Sequence, residues 1–410
     1  MPWREVSVID QRLEFVTLAR APGTNLSELC RRFGVSRSNG YKWLARYAGG
    51  GQAGLEERSR RPKCAPGQTL AEVEAEVLRI RKASNGAWGG RKIAHVLRRA
   101  GKASPSPSTI TEILRRNGQL EQRASEHPGP WRRFERAVPN ELWQMDFKGH
   151  FPLLSGRCHP LTVLDDHSRY ALEIGALGDE RDLSVRARLT GAFRRYGLPL
   201  AMLMDNGAPW GDAGGQPWTA FGVWLMRLGV KVAHGRPYHP QTQGKDERFH
   251  RSLTAEVLNG NGFADLAHCQ RAFDRWRGVY NRQRPHEALD MGVPAERYRP
   301  SPRPFPEVFP PVEYDAGDLV RTVDVSGKIS FRNRSWTLGK PFRGQRVALR
   351  TTQVDGVFTL RFCTHAIGQI DLKTDQLTAR GLVDDAVASP TTPPAPQPPQ
   401  KDHDAQKQEP

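Results

Sequence analysis

Three acidic residues, Asp146, Asp205 and Glu247, sit where a carboxylate has chemistry to do. Asp146 interrupts the apolar, strand-type run Leu142-Trp-Gln-Met-Asp-Phe147. Asp205 follows the apolar run Leu200–Met204 and opens the turn Asp205-Asn-Gly207. Glu247 falls in the first turns of a helix opened by Gln241-Thr-Gln-Gly-Lys-Asp-Glu247. A carboxylate inside an apolar strand is costly to bury unless its charge is compensated, and a divalent cation compensates it economically. Hard oxygen donors without nearby cysteines select Mg2+, with Mn2+ as a substitute, over zinc. Two such ions about 3.5–4 Å apart activate an attacking oxygen and stabilise a leaving oxygen at one phosphate. Each acid alone is weak evidence. Asp-Asn-Gly is a common turn, and Asp246 adjoins Glu247 about 100° around the helix.

The elements that must position these acids are legible from periodicity. Segments Leu142–Gly149, Leu161–Asp165, Tyr170–Ala176, Leu200–Met204 and Val230–Ala233 have strand character. Ser184–Tyr196, Trp218–Leu228, Gln243–Leu258 and Leu266–Asn281 read as helices. Three adjacent strands followed by alternating helix and strand predict a mixed α/β sheet covered by helices over residues 140–299. Beyond a Pro-rich spacer at 300–311, residues 313–375 alternate apolar and polar with Gly turns, as in Lys328–Leu338, and predict a small β barrel or sandwich. The tail, 386–410, lacks an apolar pattern and is expected to be disordered.

The N-terminal third reads as helical. Leu26–Phe33 has apolar residues at i, i+3, i+4 and i+7, Gly34-Val35 breaks it, and Ser36 is placed to cap a helix over Arg37–Tyr47. This predicts a helix-turn-helix in residues 1–48, with Arg37, Ser38, Asn39 and Lys42 facing a DNA major groove. Gly49–Gly54 reads as flexible, so 49–68 is expected to be a linker. Helices at Leu70–Ala83, Arg91–Ala100 and Ser108–Asn117 predict a second such unit in 69–120, Ser106 or Ser108 capping the last. A second linker, 121–139, would follow. Two reading heads would recognise a long site in two parts.

Charge supports a polyanionic partner. The chain has 410 residues with 61 Lys+Arg against 44 Asp+Glu, and residues 1–139 hold 26 against 13. The N-terminal third is therefore the expected DNA platform. No stretch approaches the roughly 18 apolar residues of a spanning helix, and Met1-Pro-Trp-Arg-Glu is no apolar leader. The expectation is a cytoplasmic protein without membrane contact. Five scattered cysteines without a C-x-x-C pair argue against a disulfide scaffold or thiolate zinc site. His234, His239 and His250 fit no common zinc spacing.

The strings Trp143-Gln-Met-Asp-Phe-Lys148, Leu164-Asp-Asp-His-Ser-Arg169, Met204-Asp-Asn-Gly207 and Arg236-Pro-Tyr-His-Pro-Gln-Thr-Gln-Gly-Lys-Asp-Glu-Arg-Phe-His250 resemble the integrase catalytic core shared by retroviral integrases and insertion-sequence transposases. The resemblance is closest to the IS481 group, related to IS3, and extends to Trp88-Gly-Gly-Arg-Lys-Ile93. It implies a multidomain α/β protein: N-terminal all-α helix-turn-helix units, a central ribonuclease H-like core, and a small C-terminal β barrel. It further implies that Asp146, Asp205 and Glu247 form a catalytic triad holding two Mg2+. The reaction would be nicking at an element's terminal repeats and attack of the freed 3′-OH on target DNA, by at least a dimer on double-stranded DNA. A transposase-derived regulator without catalysis is the alternative. Asp205 and Glu247 are 41 residues apart in the intervening count, more than in many members, and the Gly-rich stretch Pro209–Gln216 accommodates the excess.

Other basic residues divide between DNA contact and plain structure. Arg91 and Lys92 in the second unit, and Lys245, Arg248 and Arg251 around Glu247, are candidate phosphate contacts. Arg251, at i+4, equally suits neutralising Glu247. Asp165 and Asp166 are expected to serve a turn.

Overall fold

A computed structural model describes residues 7–57, 69–120, 135–211, 218–234 and 244–379. The chain divides into two units, Met1–Gln68 and Thr69–Pro410. The tail and most of both expected linkers lie outside the described residues.

In the first unit, α1 (Val8–Ala19), α2 (Leu26–Arg32) and α3 (Arg37–Gly50) enclose Phe15, Val16, Leu29, Cys30 and Leu55. Ser36 caps α3 by accepting from the Asn39 N–H at 3.2 Å, as its sequence position predicts. Gly40 lets α3 close onto its neighbours, since a Cβ there would lie 2.7 Å from Cys30 Sγ and 3.0 Å from Phe15. The glycines at 49–54 correct the linker expectation. Gly49 and Gly50 end α3, and Gly51–Leu55 forms a 3-10 turn that buries Leu55. A Cβ at Gly54 would sit 2.1 Å from the Arg46 carbonyl oxygen, so this glycine serves close approach and not flexibility.

The second unit begins with α4 (Ala71–Ala83), α5 (Gly90–Arg99) and α6 (Pro107–Arg116) around Val77, Trp88, Ile93, Leu97, Ile110 and Leu114. Ser106 caps α6 through the Thr109 N–H at 3.1 Å.

The central sheet runs β4 (Ala171–Leu177), β3 (Arg157–Asp165), β1 (Leu142–Phe147), β5 (Ala201–Met204), β6 (Lys231–His234), with the short β2 (Phe151–Pro152) also on β3. β3 is antiparallel to β1 and β4, whereas β1, β5 and β6 are parallel. Alternation assigns its faces. Trp143 and Met145 pack with α7 (Asp182–Tyr196) and α8 (Ala220–Arg227). Leu164, Ala171 and Ile174 pack with α9 (Gly244–Leu253) and α10 (Leu266–Arg282) on the opposite face, where Asp146 also points. The helix expected through Leu258 changes at Thr254 into one π-helical turn ending at Leu258. No described helix is long and apolar enough to cross a membrane.

The C-terminal module is a five-stranded antiparallel sheet of β7 (Leu319–Thr322), β10 (Arg346–Thr351), β11 (Val357–Phe362), β12 (His365–Asp371) and β13 (Gln376–Ala379). Lys328–Leu338, read as one alternating segment, is a hairpin of β8 (Lys328–Phe331) and β9 (Arg334–Thr337). Its turn residues Arg332 and Asn333 have φ of 52° and 55°. The expected Pro-rich spacer is strapped to the core: Arg303 donates to the carbonyls of Pro199 (2.6 Å), Leu228 (3.1 Å) and Gly229 (2.8 Å). Phe342 and Phe362 join the same apolar cluster as Trp218 and Phe221. The mixed α/β architecture, with helix-turn-helix units before it and an antiparallel sheet after it, is the class that the sequence implies.

Candidate active site

Parallel pairing of β1 with β5 aligns Gln144 with Leu203, so two residues further on Asp146 lies abreast of Asp205. Burial, then the neighbouring Asp205 charge, pushes the Asp146 carboxyl up to about 7. Asp205 is fixed by N–H groups: its Oδ1 accepts from Gly207 at 3.1 Å and from the Trp210 indole, while Trp210 stacks on Phe147 at 5.2 Å. Among the described residues neither Asp146 nor Asp205 has a Lys or Arg ion partner, so no side-chain cation offsets the burial of Asp146 or its repulsion by Asp205.

Glu247 is on α9 but is not drawn into this pair. Its side chain is 69% exposed and accepts from Arg251 Nη2 at 2.8 Å, the i,i+4 contact that the sequence allows. Among the described residues, no three of His, Cys, Asp or Glu are grouped to hold a metal ion. The stretch 235–243 just before α9 lies outside the described residues. Buried instead is Asp246, with its Oδ1 unpartnered. Burial, then Asp146 and Asp166, raises its carboxyl well above the usual range.

One neighbour's role escaped the sequence reading. His250, one turn after Glu247, hydrogen-bonds through Nε2 to Thr162 Oγ1 at 2.8 Å, and its Nδ1 is 4.0 Å from Asp146 Oδ2. Burial lowers it to about 4, so the ring is neutral at pH 7. Only spacing within α9 hinted at it. Lys245 corrects an expectation: its ammonium pairs with the fully buried Asp166 and with the Asp166 carbonyl at 3.1 Å. Asp166 also accepts from Gln144 Nε2 (2.7 Å) and the Arg136 N–H (2.8 Å). Lys245 thus tethers the start of α9 and is not presented to a phosphate. Asp165 serves the turn as expected, accepting from the Ser168 hydroxyl at 2.5 Å and its N–H at 2.8 Å. Arg248 is exposed.

In the first unit Arg37, Ser38, Asn39 and Lys42 are all exposed, the first three on the opening turn of α3. In the second, Arg91, Lys92, Ser108 and Thr111 line an open groove of about 420 Å³ between the starts of α5 and α6. Arg91 is exposed, whereas Lys92 is partly buried. Burial, then the nearby Arg284 charge, lowers its ammonium to about 8.

Known families match most parts of this arrangement. Residues 318–378 match the IS481 family transposase C-terminal domain, and residues 136–240 and 228–294 match two integrase core domain families. Residues 11–63 match a helix-turn-helix domain and 39–114 a homeodomain-like domain. The insertion element IS407 uncharacterized 31.7 kDa protein of Burkholderia multivorans is 31% identical over 159 residues, 39% of this chain and 55% of that protein. The insertion element IS476 uncharacterized 39.2 kDa protein of Xanthomonas euvesicatoria is 29% identical over 160 residues, 39% of this chain and 44% of that protein. The chain thus spans about half the length of the curated relatives it matches. Among solved structures, the HTLV-2 integrase catalytic core domain in complex with magnesium is similar with a TM-score of 0.31 and 15% identity, over 40% of this chain and 99% of that one. The expected resemblance is found domain by domain: an IS481-type transposase C-terminal domain joined to an integrase-like core.

Proposed function

We propose that the chain is a DNA transposase of an insertion sequence, which binds terminal inverted repeats, nicks the element's ends and joins the freed 3′-OH to target DNA. The observation that carries this reading is the pair Asp146 and Asp205, side by side at the strand ends of an integrase-like sheet, without a Lys or Arg partner among the described residues. Their hard oxygens fit Mg2+, with Mn2+ as a substitute, and Glu247 would supply the third carboxylate on releasing Arg251. Ions held there supply activation of the attacking oxygen and stabilisation of the leaving one. Trp210 and the Gly207 N–H hold Asp205 in place, and the Lys245–Asp166 pair fixes the first turn of α9. Arg248 is free to meet the phosphate backbone. Arg37, Ser38, Asn39 and Lys42 would read the repeat from the first unit, and Arg91 and Lys92 would contact phosphates from the second. Joining two ends requires at least a dimer assembled on DNA, and the setting is the bacterial cytoplasm.

Asp205→Asn is expected to reduce Mg2+-dependent nicking and joining by at least about 10³-fold while gel-shift binding to the repeats persists. A mutant that still cuts would show the acid assignment to be wrong. A wild-type chain that binds the repeats but never cuts with Mg2+ or Mn2+ would instead be a DNA-binding regulator.

A further inference from the structure

The second helical unit is bolted to the segment that continues the catalytic helix, and one buried carboxylate makes the joint. The Glu256 side chain, in the π-helical turn after α9, is 3% exposed. Its Oε1 accepts from Trp88 Nε1 at 3.2 Å and from Arg284 Nε at 2.8 Å, and its Oε2 accepts from Trp276 Nε1 at 2.9 Å. Trp88 comes from the turn before α5, Trp276 from α10, and Arg284 from the segment after α10. Donors from two stretches far apart in sequence, Trp88 on one side and Trp276 with Arg284 on the other, therefore meet on one side chain.

The contact is reinforced around it. Asn85, in the left-handed region at φ 51°, donates through Nδ2 to the carbonyls of Ala255 (3.2 Å) and Asn259 (2.9 Å) at the same turn. Arg81 Nη1 holds the Trp88 carbonyl at 2.8 Å, and Val279 of α10 packs into the apolar cluster of the second unit. Arg284 Nη2 also reaches Ser252 Oγ at 2.8 Å on α9 itself. A helical unit that only read DNA would need none of these bonds. The groove lined by Arg91 and Lys92 begins within four residues of Trp88, so its position relative to α9 is set by the joint.

We propose that Glu256 is a positioning residue that holds DNA gripped by residues 69–120 at one fixed offset from the carboxylate site, and so selects which phosphodiester is cut. The inference rests on the transposase reading. Loss of a single charge-assisted acceptor loosens the joint while leaving the groove side chains and the acids in place, and also removes one negative charge that favours the Lys92 ammonium.

The test uses the full chain, Mg2+ and a labelled duplex taken from the DNA flanking the coding sequence and carrying its inverted repeat. Wild type is expected to nick at one position. Glu256→Gln is expected to spread the nicks over several neighbouring positions. A merely structural role would lower the melting temperature and slow nicking evenly at the wild-type position, and that result would overturn the proposal. If Glu256→Gln does not fold, Trp88→Phe removes one donor while keeping the ring, and a single nick position in that variant overturns the proposal equally. Hydrogen exchange in the absence of DNA separates the joint from the reaction. Amides of 84–92 and 254–259 are expected to exchange together, at least about tenfold faster in the variant; unchanged exchange refutes the joint. If wild type binds the duplex without cutting it while exchange responds as expected, the transposase reading fails and the cutting role of Glu256 falls with it.

Discussion

The two N-terminal helical units share a plan of three short helices and differ in what closes their cores. In the first, Leu55 folds back from the end of α3 and completes the cluster of Phe15, Val16, Leu29 and Cys30 from within the same stretch of chain. In the second, Val279 from α10 packs into the cluster, and Trp88 spends its indole N–H on Glu256. The first is built to fold on its own residues. The second borrows part of its interior from the integrase-like core. Similar helix-turn-helix patterns thus serve one unit closed on its own residues and another joined to the sheet domain that carries the acids.

Core damage should break this contrast most visibly. Ile110→Ala leaves a cavity in the second unit and is expected to cost about 2–5 kcal/mol, lowering the main calorimetric transition that includes the catalytic core. Gly40→Leu places a side chain against Cys30 and Phe15, and is expected to unfold the first unit alone while the main transition stays where it was. If both substitutions moved the same transition, the distinction between the units would be lost.

Acid should separate them next. The larger unit holds His365, lowered by burial to about 4, and His286, lowered by burial and then by Arg284 to about 3. Residues 1–57 contain no histidine. In the unfolded chain these rings take up protons near their ordinary 6.5, whereas in the folded unit they resist. Their contribution is therefore complete above pH 6.5 and is lost as the pH falls toward about 4 for His365 and about 3 for His286. Melting curves across this window are expected to show the main transition falling, and His365→Asn to flatten its slope. A slope unchanged in that variant would remove His365 from the account.

DNA binding gives a third, smaller contrast. Arg37→Ala in the exposed first turn of α3 is expected to cost about 1–3 kcal/mol of discrimination between the repeat and other sequences. Arg91→Ala is expected to weaken binding evenly across sequences and to reduce the salt dependence by about one ion. Binding titrations on repeat and scrambled duplexes check both; equal loss of discrimination in the two variants would merge the units' roles.

What was readable in the sequence follows the range of the interaction. Apolar strand character marked the strand that carries Asp146, Ser36 marked one helix start, and Ser106 or Ser108 marked another, because each effect acts within a few residues. The resemblance supplied the integrase-like core. The 49–54 glycines were misjudged because composition does not distinguish flexibility from close approach to the Arg46 carbonyl. The turn at Arg332-Asn333 was hidden because apolar alternation continued through it, and neither residue is a Gly that would have flagged positive φ. Lys245 appeared free because its partner, Asp166, lies 79 residues away. The Trp88–Glu256 bond spans 168 residues and left no local trace. Of the candidate site, the paired Asp146 and Asp205 follow from strand order, whereas the orientation of Glu247 toward Arg251 is a side-chain choice that spacing alone leaves open.

The smallest expected effect concerns the two helix caps, where a capping hydroxyl is removed from each unit. Ser36 and Ser106 each accept one N–H, from Asn39 at 3.2 Å and Thr109 at 3.1 Å, and the Ser106 hydroxyl also hydrogen-bonds the hydroxyls of Ser108 (2.7 Å) and Thr109 (2.9 Å). Replacing either by Ala orphans one helix N–H at an exposed site, at a cost of about 1 kcal/mol. If the first unit folds by itself, Ser36→Ala lowers only its own transition. The same loss at Ser106 is then felt through Trp88 and Val279 by the whole larger unit, whose greater unfolding enthalpy turns an equal free-energy loss into a smaller temperature shift. The expected outcome is two cap substitutions with costs of the same order, read out in different transitions, with the larger displacement in the smaller unit. Equal shifts in one shared transition would mean that the chain melts as a single body.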